Sequence, residues 1–232
     1  MIIKVCGLRE PENIRAVVSL NVDMIGFIFW PQSSRYVQMI SSRAGIIPDY
    51  SQDRLHKLEN ANAEAVPLRT PSRVGVFVDD MPQNIVTRVY NYSLDYVQLH
   101  GEESPVMIDN LRRTIDPDIH PNLKIIKTLS INTKEDVLSW HAYEGCVDMF
   151  LFDTKCDSLG GSGKKFNWSL LEAYDGNIPF LLSGGIGRDD VDDIKSFSHP
   201  QFAGIDLNSC FETSPAVKDI DKLKSFIQAV RQ

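Results

Sequence analysis

The sequence predicts an α/β chain folded as a single (β/α)8 TIM barrel, and three observations carry that prediction. Eight short apolar runs rich in β-formers alternate with helix-like segments along the whole chain. Strict β-then-α alternation demands right-handed crossovers and therefore a parallel sheet. Eight such units in 232 residues fill a compact closed barrel, whereas a flavodoxin-like or Rossmann sheet uses five or six strands and leaves units over.

The strands are read in order at Ile2–Cys6, Met24–Phe29, Arg73–Val78, Tyr96–Leu99, Lys124–Thr128, Asp148–Phe152, Ile178–Leu182 and Phe202–Asp206. Helices are expected between them at Glu10–Leu20, Gln83–Tyr90, Ser104–Thr114, Thr133–Tyr143, Trp168–Tyr174, Asp189–Phe197 and Ala216–Arg231. Asn132, with Glu135 three residues on, reads as the start of the fourth of these. The second βα unit is enlarged around residues 37–72. Prolines at 48, 67 and 71 break it, leaving helical pieces at Ser41–Ile47 and Asp53–Ala63. No repeat or composition shift marks a boundary there, so residues 1–232 are read as one domain.

Composition narrows the function classes. Apolar content of 43% and charged content of 24% are those of an ordinary globular chain. A net charge of −7 offers no basic surface for nucleic acid and no polybasic membrane anchor. No apolar run reaches the ~18 residues of a membrane helix, and the first residues do not form a signal peptide. Cys6, Cys146, Cys156 and Cys210 lie far apart, without CxxC or Cys/His zinc spacing. Reduced thiols, a cytoplasmic location, no metal and no cofactor are the expectation.

Barrel enzymes place working groups at the C-terminal ends of their strands. Six of the eight strand ends here are polar or glycine-rich, which makes them the place to look for a site. Ser183-Gly184-Gly185-Ile186-Gly187 follows the seventh strand, and Asp206-Leu207-Asn208-Ser209 closes and follows the eighth. Those two loops usually cradle phosphate through backbone N–H groups, and glycine admits close approach. A phosphorylated small molecule is therefore the expected partner. Gly160-Gly161-Ser162-Gly163-Lys164-Lys165 fails as a nucleotide loop, because Ser158 and Lys165 stand where glycine and Ser/Thr are needed. It reads instead as a loop able to close over substrate.

Alternation puts Ile2, Lys4 and Cys6 on one face, and Gly204, Asp206 and Asn208 on one face of the eighth strand. If both faces point into the barrel, Lys4 and Asp206 can form an ion pair beneath Cys6, and Lys4 would favour the thiolate. Asp153 ends the sixth strand. A loop-capping role is its ordinary reading, but a rim carboxylate facing a rim thiol in a partly desolvated pocket offers a general acid and a general base. Arg35 can grip a carboxylate bidentately. Gln98 and His100 share a face of the fourth strand, where a packing or hydrogen-bonding role stands beside a catalytic one.

Read together, these segments resemble the phosphoribosylanthranilate isomerase family of tryptophan biosynthesis. The likeness runs in order through Lys4-Val5-Cys6-Gly7, Gly26-Phe27-Ile28-Phe29 with Ser33-Ser34-Arg35-Tyr36, and Val74-Gly75-Val76-Phe77. It continues through Gln98-Leu99-His100-Gly101, Asp153 with Gly160-Gly161-Ser162-Gly163, and Phe166-Asn167-Trp168. It ends in Leu182-Ser183-Gly184-Gly185-Ile186 and Gly204-Ile205-Asp206-Leu207-Asn208-Ser209 with Glu212. The resemblance implies an Amadori rearrangement with Asp153 as general acid and Cys6 as general base. It implies Arg35 on the anthranilate carboxylate, and Gly185, Asn208 and Ser209 on the phosphate. Gln98, His100, Gly161, Gly184 and Asp206 complete the expected substrate-binding set. Asn167 stands where the family more often has Asp, and Cys210-Phe211 replaces a step that usually contains glycine.

Other readings are weaker. A barrel epimerase would want metal-ligating His and Asp at several strand ends, and only His100 sits at one. Indole-glycerol-phosphate synthase would carry catalytic lysines with a glutamate and no cysteine base. A non-catalytic phosphate-binding barrel has no use for both Cys6 and Asp153. Monomer or homodimer, and acceptance of a histidine-pathway aminoaldose, stay open at this level.

Overall fold

The computed structural model describes residues 1–44, 70–154 and 167–232. Eight parallel strands close into a barrel in sequence order: β1 Ile2–Val5, β2 Met24–Ile28, β3 Ser72–Phe77, β4 Tyr96–Leu99, β5 Lys124–Ile131, β6 Met149–Thr154, β7 Phe180–Leu182 and β8 Phe202–Leu207. The helices outside are α1 Pro11–Val18, α2 Pro82–Tyr92, α3 Pro105–Ile115, α4 Lys134–Leu138, α5 Val191–Ser196 and α6 Ile220–Arg231.

Period-two alternation sorts the strand residues into two cores. Ile3, Val5, Ile25, Phe27, Val97, Leu99, Ile125, Phe150, Phe152, Ile205 and Leu207 face outward and are buried beneath the helices. Inside the barrel, Met24, Val74, Ile126, Met149, Leu151 and Leu181 form a separate apolar cluster. Toward the C-terminal mouth the interior turns polar, with buried Lys4, Gln98, Thr128 and Asp206. A packed lower half and a polar upper half confine the chemistry to one end.

Local sequence explains the helix starts. Pro11, Pro82 and Pro105 each occupy a first helical position, where the missing N–H costs nothing and φ is already set. Ser104 accepts the Met107 N–H at 3.3 Å, and Asp219 the Lys222 N–H at 3.0 Å.

Four elements differ from the sequence reading. The cap of α4 is Thr133, not Asn132. Thr133 and Asp136 form a reciprocal capping box, because β5 runs on to Ile131 and leaves Asn132 in the turn. β5 runs on because Leu129 and Ile131 continue the buried alternation and pair with Phe152 and Thr154 of β6. The segments Ser139–Tyr143 and Trp168–Ala173 are 3-10 turns, the second capped by Asn167 accepting the Ser169 N–H at 3.1 Å. No helix starts at Ala216. Its φ is +68°, and residues 212–218 form a small antiparallel hairpin of β9 Glu212–Ser214 and β10 Val217–Lys218. Most of the enlarged second unit, including the piece expected at Asp53–Ala63, lies outside the described residues, as does the glycine loop with Gly161.

Candidate active site

β1 and β8 pair in register, Lys4 opposite Asp206, so alternation brings both side chains into the barrel. Their ion pair is 2.9 Å long, with side chains 0% and 7% exposed. Cys6, one residue beyond β1, lies on the same face above Lys4 and is buried. Gly26 of β2 makes room for it: a Cβ at that position would be 2.7 Å from Cys6 Sγ. The thiol does not ionise as readily as Lys4 alone suggests. Burial pushes its pKa up by more than the charges of Lys4 and Lys218 pull it down, and the Asp206 carboxylate adds to the upward push.

Across the mouth, Asp153 belongs to β6 itself rather than to the loop after it. Its Oδ1 accepts the Thr154 N–H at 2.8 Å. Burial outweighs that bond, a hydrogen bond to Ser183 and the charge of Lys4, so the carboxyl is held above its usual range. His100 Nε2 is 3.6 Å from Asp153 Oδ2. Burial first, then the cations Lys127 and Lys4, push His100 down to about 4, so it stands neutral beside the acid. Gln98 Nε2 donates to Thr128 Oγ1 at 3.1 Å, while its buried Oε1 has no partner among the described residues.

The loops after β7 and β8 complete the mouth. Gly184 and Gly185 have φ of +86° and +68°, conformations that favour glycine. A Cβ on Gly184 would also collide with Thr154 and come 2.9 Å from Asp153 Oδ1, so the loop must close tightly on the acid. Among the described residues no acceptor takes the Gly184 and Gly185 backbone N–H groups, whereas the Gly187 N–H is taken by Asp190 at 2.7 Å. Ser209 opens a 3-10 turn after β8, and Cys210 Sγ lies 3.5 Å from the Gly185 carbonyl, tying the two loops together.

Arg35 follows β2, and Glu212 holds it from the β9–β10 hairpin. Nε and Nη2 donate to the carboxylate at 2.6–3.1 Å. Lys218 Nζ donates to Glu212 Oε1 and to Asn208 Oδ1, both at 2.7 Å. Gly7, at φ +77°, lets Arg35 and Asn208 approach, since a Cβ there would lie 2.7 Å from each. The sequence reading missed this brace. Glu212 stood in a motif without a role, and Lys218 fell inside an expected helix. A second buried pair was also missed. Lys127 Nζ donates to Glu103 Oε2 at 3.1 Å and to the Gly101 carbonyl at 2.6 Å, while Glu103 accepts the N–H groups of Asp79 and Gly101. It ties the loops after β3 and β4 to strand β5 beside His100.

One mouth therefore holds a thiol, a carboxyl with raised pKa, an arginine and free backbone donors. Among the described residues no group of His, Cys, Asp or Glu could hold a metal ion. No helix among them is long and apolar enough to cross a membrane.

The model of the N-(5'phosphoribosyl)anthranilate (PRA) isomerase family matches residues 3–229. A protein of that name from Parabacteroides distasonis is 46% identical over 230 residues, covering 99% of this chain and 93% of the relative. The solved phosphoribosyl anthranilate isomerase of Thermotoga maritima superposes with TM-score 0.73 at 31% identity, covering 100% of this chain and 99% of that one. Another solved phosphoribosyl anthranilate isomerase, in complex with reduced 1-(o-carboxyphenylamino)-1-deoxyribulose 5-phosphate, matches at TM-score 0.70 and 29% identity, with coverage of 100% and 99%. Family model, full-length relatives and barrel geometry agree, and the chain belongs to the phosphoribosylanthranilate isomerase family.

Proposed function

We propose that the chain isomerises N-(5-phosphoribosyl)anthranilate to 1-(2-carboxyphenylamino)-1-deoxyribulose 5-phosphate with Asp153 as general acid and Cys6 as general base. The observation that carries the roles is the pairing of a carboxyl with raised pKa and a thiol at one barrel mouth, both within the field of Lys4. Asp153 delivers its proton to the furanose oxygen as the C1–O bond breaks, leaving an open-chain Schiff base. The Cys6 thiolate takes the C2 proton, and the electron pair moves into a C1–C2 double bond. Proton transfer from the 2-hydroxyl and to C1 then gives the ketone. Product and substrate are isomers, so the chemistry calls for no external electron acceptor.

Arg35 meets the anthranilate carboxylate, and the Gly184, Gly185, Asn208 and Ser209 backbone meets the phosphate, with Gly161 expected from the loop after β6. Holding both ends can lower the barrier by several kcal/mol, and each proton transfer contributes roughly 10²–10⁴-fold. Gln98 Oε1 and neutral His100 face the sugar between those anchors. Asp206 acts from below, as the partner of Lys4, on the charge balance at Cys6. All these groups come from one chain, which suits a monomer or a homodimer with one site per subunit. The free thiols of Cys6, Cys146 and Cys210 fit a reducing cytoplasm.

The test follows the fluorescence of N-(5-phosphoribosyl)anthranilate generated in situ, with wild type, Cys6→Ser and Asp153→Asn side by side. Rapid decay with wild type and loss of several orders of magnitude in both variants is expected. A wild type that leaves the substrate at its spontaneous rate overturns the activity.

A further inference from the structure

We infer that Glu212 is a positioning residue that turns Arg35 toward the substrate carboxylate, with Lys218 fixing Glu212 in place. The inference rests on the isomerase reading above and adds a residue to it. A guanidinium has two edges on which a carboxylate can dock bidentately besides its remaining N–H. Glu212 occupies the Nε/Nη2 edge, with contacts of 2.8 Å and 3.1 Å from Nε and 2.6 Å from Nη2. Arg35 Nη1 has no acceptor among the described residues, so the edge it shares with Nη2 is the one left for a ligand. The Arg35 side chain is 12% exposed and that of Glu212 6%, which gives neither much room to swing.

Glu212 is itself over-determined. Its Oε1 accepts from Lys218 Nζ at 2.7 Å and from the Ala216 N–H at 3.3 Å. Lys218 is fully buried and reaches on to Asn208. Its backbone is clamped to α1 by reciprocal bonds with Asn13, 2.8 Å and 2.9 Å long. The hairpin thereby joins the loop after β2 to the end of β8, holding the carboxylate grip at a set distance from the phosphate loops. Charge points the same way. Two cations share one carboxylate, so the cluster keeps one net positive charge for an incoming anion. Burial pulls Glu212 upward, but the hydrogen bonds and charges of Arg35 and Lys218 outweigh it and keep Glu212 ionised.

A merely structural hairpin and a positioning one differ in substrate selectivity. The test compares kcat/KM for the anthranilate substrate with that for the same phosphoribosylamine made from aniline, which lacks the carboxylate. The variants are Glu212→Gln, Glu212→Asp and Arg35→Met, each checked by circular dichroism. Glu212→Gln is expected to lower the carboxylate-to-aniline ratio by about tenfold to hundredfold, approaching Arg35→Met, because a charge-assisted contact is lost. Glu212→Asp recovers part of the ratio. A folded Glu212→Gln enzyme that slows on both substrates equally overturns the positioning role. A wild type that turns over neither substrate overturns the isomerase reading instead.

Discussion

Replacing Gly26 by alanine probes the placement of Cys6, the proposed base, without changing that residue. The added Cβ would stand 2.7 Å from Cys6 Sγ, 3.1 Å from its Cα and 3.2 Å from its Cβ. The sulfur contact is about 0.7 Å inside the closest ordinary approach of 3.4 Å. Rotating the thiol relieves only that contact, because the Cα of Cys6 is also too near. The end of β1 must therefore shift along with the side chain. Gly26 lies in a regular strand rather than at positive φ, so alanine brings no backbone strain of its own and the effect passes through Cys6. Overpacking of this kind costs roughly 1–3 kcal/mol of stability. A base displaced by about 1 Å loses on the order of 10²-fold in rate. The fluorescence assay should show kcat down about a hundredfold. A folded Gly26→Ala enzyme with near wild-type kcat would refute the assignment of Cys6 as the base.

Three other outcomes are expected. Lys4→Met should cost about 3–5 kcal/mol in denaturant unfolding, because it strands a buried Asp206, and Lys4→Met/Asp206→Leu should recover most of it while staying inactive. Lys127→Met should cost a similar amount, but adding Glu103→Leu should not restore it, since Glu103 also satisfies the Asp79 and Gly101 N–H groups; a full recovery would show those bonds to be dispensable. The profile of kcat/KM against pH should be bell-shaped, its acidic limb set by Asp153 and its alkaline limb by Cys6. Lys218→Met, by removing a cation that lowers the thiol, should move only the alkaline limb, and to higher pH; an unmoved limb would mean that Cys6 does not set it.

What the sequence disclosed follows from period. The strands are legible because short apolar runs rich in β-formers recur between helix-like segments, and closure in chain order makes Lys4 and Asp206 neighbours. The loops after β7 and β8 were legible for the same reason, being anchored to strand ends. Glu212 and Lys218 were not. Strands of three and two residues carry no period, and Val217-Lys218-Asp219-Ile220 continues the helical pattern of α6 backwards without a break. The Asp219 cap and the left-handed Ala216 end the helix there, and alanine gives no warning of positive φ. Lys127 was hidden differently: its partner Glu103 comes from the loop before α3, and no periodicity links the two positions.

The raised values of both Cys6 and Asp153 have a consequence for how the reaction runs. Under the proposed roles turnover needs Asp153 protonated and Cys6 ionised, and burial favours the first while opposing the second. With one proton between the two groups, the working form holds it on the Asp153 carboxyl and leaves the charge on the Cys6 sulfur. Its fraction is constant across the plateau and is set by the gap between the two values. Anything that narrows the gap raises the rate without touching the substrate. Burial lifts Asp153 toward Cys6, while Lys4 and Lys218 draw Cys6 back toward Asp153. Lys4 lowers both groups, so its net effect on the gap depends on which it favours, and it touches Cys6 by hydrogen bond as well as by charge. Lys218 acts on Cys6 alone of the pair, which gives the hairpin a second reason to bury a cation that the Arg35 brace by itself would not require.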